Sequence, residues 1–126
     1  MNQPGVPVVD ESRPIFVQIA ELIENDIIGG SLPEETQVPS TNEFAAFHRI
    51  NPATAGKGVN LLVDEGILYK KRGIGMFVAQ GARDRLIAKR RDEFRSEFVG
   101  PLVAEAAKLG ISRAQLIDMI GEGAGA

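Results

Sequence analysis

The sequence predicts a mainly α-helical chain with one small β-hairpin, followed by a short helical region at the C-terminal end. Three observations carry this. Apolar residues recur at spacings of three and four in successive stretches up to Gly66. Between residues 67 and 78 the apolar period drops to two around a cluster of glycines. From residue 82 the helical spacing returns.

Residues 1–12 (MNQPGVPVVDES) carry two prolines and a glycine without periodicity, and read as a flexible arm. Pro14 suits a first helical turn, with Ser12 upstream as a cap. Ile15, Phe16, Ile19, Leu22, Ile23 and Ile27 then form one apolar face, with Glu21, Glu24, Asn25 and Asp26 opposite. Gly29-Gly30 ends this helix. Ser31 to Pro39 reads as a loop, after which Ser40 and Glu43 form a capping box. The short helix they open points Phe44, Ala45 and Phe47 inward and runs out near His48. Asn51 caps a third helix at Pro52, which buries Val59, Leu62 and Val63 and stops at Gly66.

Two short helices joined by a tight turn form a helix-turn-helix unit. The runs Ile67–Lys71 and Met76–Val78 flank Arg72-Gly73-Ile74-Gly75 and read as a β-hairpin with basic residues near its tip. Residues 13–80 are thus expected to form a winged helix. In residues 82–120, Leu86, Ile87, Phe94, Phe98 and Leu102 form an apolar stripe that either folds back on its own domain or stays exposed in a monomer, and dimerisation of this region is the favoured expectation. Gly100-Pro101 is expected to kink or end its first helix. Ser112 and Gln115 open another helix, and residues 121–126 (GEGAGA) read as a disordered tail.

Composition narrows the function. The chain has 126 residues and no cysteine, which excludes disulfides, thiolate catalysis and cysteine-based zinc sites. No apolar run reaches the roughly 18 residues of a membrane span, so a cytoplasmic protein is expected. His48 is the sole histidine, without partners at metal-ligand spacing, and the acid pairs Glu34-Glu35 and Asp64-Glu65 read as solvating. No catalytic constellation, cofactor motif or metal set is present, so an enzyme is not expected. The net charge of -3 is unevenly spread: residues 1–66 sum to -7, residues 67–95 to +6 and residues 96–126 to -2. A local basic belt still attracts phosphates, because exposed charges beyond about 10 Å are largely screened.

Three segments, QVPSTNEFA, INPATAGKGV and DEGILYKKRGIGMFV, stand in order within about 65 residues. Together they resemble the "LPSxRELA", "vsrtTVrkAl" and "EGLIyxrrGxGtFV" segments of GntR-type bacterial regulators. The Asn51-Pro52 pair and the short remainder after the hairpin are similar to the YtrA-type subfamily, in which a pair of helices serves dimerisation. The resemblance implies a DNA-binding transcription regulator, a repressor by type, acting as a homodimer on a pseudo-palindromic double-stranded operator. It implies that the helix at about 52–65 enters the major groove, offering Asn51, Ala53, Thr54 and Lys57. Ser40, Thr41 and Asn42 would hold a phosphate at the preceding helix start. Lys71, Arg72, Gly73, Ile74 and Gly75 would place the hairpin at the minor groove. Two positions depart from the pattern: the arginine of "PSxR" is Asn42 here, and a commonly basic or polar position is Gly56. With Gly58 they leave few groups to read bases. Two alternatives stay open: a winged-helix interaction module without DNA binding, and an effector site for a small molecule.

Overall fold

The computed structural model describes residues 12–124. Elements follow in the order α1 (Ile15–Gly29), α2 (Thr41–His48), α3 (Pro52–Asp64), β1 (Leu68–Lys71), β2 (Gly75–Val78), α4 (Ala82–Phe94), a π-helical turn (Arg95–Val99), α5 (Gly100–Lys108) and α6 (Arg113–Ala124). The chain divides into two compact units, one through Ile87 and one from Ala88 on.

The first unit is built on the crossing of α1 and α3. Ile19, Ile23 and Ile27 form a stripe on α1, and Ala55, Val59 and Leu62 form its counterpart on α3. Gly58 sets how closely the two helices approach. A Cβ there would lie 2.8 Å from both the Ile19 Cγ2 and the Phe16 carbonyl oxygen. Its absence is therefore a packing requirement, and Gly58 is buried rather than a vacated base-reading position. Phe44 and Ala45 of α2 close the core from one side, and Leu68 and Val78 of the hairpin from another.

The hairpin pairs Leu68 with Val78, Tyr69 with Phe77, Lys70 with Met76 and Lys71 with Gly75. Gly73 and Gly75 hold positive φ angles of 79° and 145°, which let the three-residue tip turn without a Cβ penalty. The loop before α2 is not irregular throughout, as its prolines suggest. Val38 N–H donates to Met76 O and Glu35 N–H to Val78 O, each at 2.8 Å, and Gln37 bridges to Phe77, so this segment lines the outer edge of β2.

Several expectations are corrected. Pro14 stands at the cap of α1 rather than in its first turn, where it has no side-chain group to accept from the helix amides. Glu24 is only 4% exposed, so the polar face of α1 is narrower than its charges suggest. Phe47 is 71% exposed, because an eight-residue helix buries a single stripe, and Phe44 and Ala45 already occupy it. Leu86 is 1% exposed and lies, with Ala82, in the core of the first unit. It is therefore not part of a free dimerisation stripe.

In the second unit Gly100-Pro101 does not end the helical path. Gly100 N–H reaches back five residues to the Arg95 carbonyl, and this wider turn accommodates the proline in the first turn of α5. Ser112 and Gln115 cap α6 reciprocally, at 2.8 and 3.1 Å. That helix continues through Ala124, so residues 121–124 of the expected tail are helical. The arm, save Ser12, and residues 125–126 lie outside the described residues. Among the described residues no helix is long and apolar enough to cross a membrane.

Candidate nucleic-acid interface

The helix-turn-helix is set by two caps and the turn between them. Ser40 Oγ accepts from Glu43 N–H, and Glu43 Oε1 accepts from Ser40 N–H, each at 3.1 Å. The bond to the Ser40 amide, then that to its hydroxyl, holds the Glu43 carboxyl below its ordinary pKa. The box uses the Glu43 amide and leaves those of Thr41 and Asn42 pointing out of the helix start. At the other end of α2, Arg49 adopts a left-handed conformation with φ of 57°. Ile50 N–H returns to Ala45 O at 2.9 Å, which turns the chain sharply into α3.

Asn51 Oδ1 then accepts from Ala53 N–H at 2.8 Å and Thr54 N–H at 3.4 Å. The Asn51 carbonyl group is thus spent on capping, and its Nδ2 is the group left to face outward. Ala53 and Lys57 are exposed on the same helix, and Thr54 is half-buried. A Cβ built on Gly56 would sit 3.7 Å from Thr41 Cγ2, which places the first turns of α2 and α3 side by side.

Ser40 and Thr41 face the hairpin tip across an open cleft of roughly 380 Å³, lined on its far side by residues 70–76. This cleft joins the residues expected at the phosphate to those expected at the minor groove. Asn42, Asn51, Ala53, Thr54 and Lys57 lie outside its lining, at the starts of the two helices. Lys70, Lys71 and Arg72 are exposed, as is Ile74 at the tip. The Lys71 ammonium lies 4.4 Å from the Phe77 ring centroid, a cation–π contact that steers the side chain along the strand.

The remaining cations of the basic belt are not equivalent. Arg83 Nε donates to the Ile28 carbonyl at 3.0 Å, and Arg85 Nη2 to the Gly66 carbonyl at 2.7 Å. Glu34 caps the start of α4 by accepting from Gly81 and Arg83 amides. These groups brace the fold, whereas Lys70, Lys71 and Arg72 of the wing are exposed beside the cleft.

Two contributors escape sequence reasoning. Gln37 Nε2 donates to the Ile74 carbonyl at 3.1 Å and so props the wing tip. Its partner lies 37 residues away, and no local signal announces it. Arg49 brings an exposed cation into the turn between the two helices, where the only signal was its charge.

Comparison with known proteins places this geometry. The family model of bacterial regulatory proteins, gntR family, matches residues 16–78. The chain is 27% identical over 111 residues to the HTH-type transcriptional repressor YtrA of Bacillus subtilis, covering 88% of this chain and 85% of that protein. A crystal structure of a putative GntR-family regulator from Bacteroides thetaiotaomicron superposes with a TM-score of 0.72 at 36% identity, covering 86% of this chain and 94% of that one. The AraR DNA-binding domain in complex with operator ORX1 superposes with a TM-score of 0.51 at 29% identity, covering 63% of this chain and 92% of that one. The chain belongs to the GntR family of bacterial regulatory proteins.

Proposed function

We propose that the chain is a DNA-binding transcription regulator of repressor type that works as a homodimer on a two-fold related operator. One observation carries the DNA-binding part: the starts of α2 and α3 and the basic wing tip gather around one open face. In this reading the α2 amides and Ser40 hold a phosphate. Lys57 and the outward groups of Asn51, Ala53 and Thr54 meet the major groove, and Arg72 with Gly73 and Ile74 meets the adjacent minor groove. AraR, which shares the fold, is seen with its operator.

Homodimerisation is supported by the second unit. Its apolar side chains, Phe94, Phe98, Leu102 and Ile117 among them, are largely exposed, and Ala106 is its single buried apolar residue among those described. Such a unit has no core to hold it together alone, and a second copy of the same face supplies one. Two reading heads then impose two-fold symmetry on the site they recognise.

The test is an anisotropy titration of the promoter fragment upstream of its own gene, at several salt concentrations, with the wild type and a Lys57→Ala/Arg72→Ala variant. Binding should weaken linearly on a log–log plot of salt, and the variant should lose about 0.9 of slope per phosphate contact removed. Binding that is salt-independent, or unchanged in the variant, would point instead to a protein-interaction module.

A further inference from the structure

A second cavity, of roughly 410 Å³, lies within the first unit among α1, α2, α3 and the loop before α2. Its volume falls in the range of pockets that hold small organic molecules. The floor is apolar, with Ile23 and Val59 from the two crossing helices. Phe44, Phe47 and His48 form its aromatic wall, the His48 ring centroid lying 4.3 Å from that of Phe44 and 4.9 Å from that of Phe47. Asp26 and Glu43 also line the cavity, and no lysine or arginine does.

Two features set this cavity apart from a packing gap. Phe47 is the most exposed large apolar side chain of the described residues, and it lines this cavity. Asp26 is exposed and forms no ion pair among the described residues, so its carboxylate is open to an outside cation. An apolar, aromatic chamber with two carboxylates, one imidazole (His48) and no lysine or arginine selects by charge as well as by hydrophobicity. Aromatic faces attract cations through their quadrupoles, and the carboxylates add Coulombic attraction. Anions meet repulsion from the same groups.

We propose that this cavity binds a lipophilic organic monocation, of the quaternary ammonium or phosphonium type, with Asp26 as the charge partner and Phe47 as the aromatic lid. The site shares Glu43 with the capping box of α2, so an occupant contacts the element that carries Ser40 and Thr41. It does not rest on the DNA-binding reading, and its test contains no DNA.

The experiment is isothermal titration of the 126-residue chain with tetraphenylphosphonium and, separately, with tetraphenylborate, an anion of nearly the same shape. The phosphonium should bind once per chain and at least about tenfold more tightly than the borate. Asp26→Asn, an isosteric change at an exposed position, should weaken the phosphonium by about fivefold. Phe47→Ala should weaken it several-fold, with a thermal melt confirming that each variant is folded. Equal affinity for the two ions, or a phosphonium affinity unaltered in both folded variants, overturns the proposal.

Discussion

The side-chain amide of Gln37 donates to the Ile74 carbonyl, tying the segment before α2 to the tip of the wing. A Cβ on Gly75 would collide with that same amide, so the two groups fit only with glycine beneath. Gln37→Ala removes the donor and leaves the tip free to move. A lost hydrogen bond of this kind costs about 1 kcal/mol, so operator affinity is expected to fall several-fold while helical circular dichroism stays unchanged. Unaltered affinity in Gln37→Ala, beside a clear loss in Arg72→Ala, would show that the wing needs no prop.

Gly56 and Gly58 lie two residues apart on α3 and should respond to alanine with opposite signs. At Gly56 the new methyl meets Thr41 at ordinary contact distance, and alanine should stabilise by up to about 1 kcal/mol through helix propensity. At Gly58 it would press on Ile19 and on the backbone of Phe16, where overpacking costs about 1–3 kcal/mol. Urea denaturation of both variants reads the difference. A Gly58→Ala protein as stable as wild type would mean that α1 moves away from α3 without loss.

Glu43 gives the reading head an acid-sensitive latch. Its carboxyl is held below the ordinary glutamate value near 4.5 by the Ser40 amide first and the Ser40 hydroxyl second. A carboxylate depressed in the folded state stabilises at pH above that value, and the contribution is lost as pH falls through the folded pKa. Glu43→Gln keeps an acceptor for the Ser40 amide and removes the titration. Thermal melts from pH 7 to pH 3 should therefore be flatter for the variant below about 4.5. Superimposable profiles would show that the box contributes nothing pH-dependent.

Phe94 and Phe98 present adjacent rings, 5.6 Å between centroids, with Phe98 63% exposed. Under the dimer proposal, Phe94→Ser/Phe98→Ser should raise the dimer dissociation constant at least about 30-fold, the range of an interface anchor. Sedimentation velocity over a concentration series measures it. A wild-type chain that sediments as a monomer at micromolar concentration would remove the second copy from the account.

What was legible in the sequence was local. Ser40 with Glu43, and Asn51 before Pro52, announce their helices because a cap and its amides lie within three residues of each other. The hairpin was equally plain, since the alternation of Leu68 to Lys71 and the glycines at its tip sit side by side. Helical spacing gave the faces of α1 and α2 but not the width of each, so Glu24 and Phe47 came out on the wrong side. The prop at Gln37, the close crossing at Gly58 and the docking of Leu86 each depend on a partner far along the chain. Of the candidate site, the wing and helix starts were readable. That Arg83 and Arg85 brace carbonyls instead of facing a ligand was not.

The widened turn at Arg95–Val99 also has a rotational meaning. Each residue advances an α-helix by about 100°, so a loop of five where four would serve carries one surplus residue and offsets everything downstream by that angle. The side chains of α5 therefore look out in a different direction from the one that counting from Phe94 at α-helical periodicity would assign. Deleting one residue between Arg95 and Val99 would restore the regular count and swing the faces of α5 and α6 together, without altering a single apolar side chain on them. In this unit the direction of the hydrophobic surface is set by the length of the chain as much as by its chemistry.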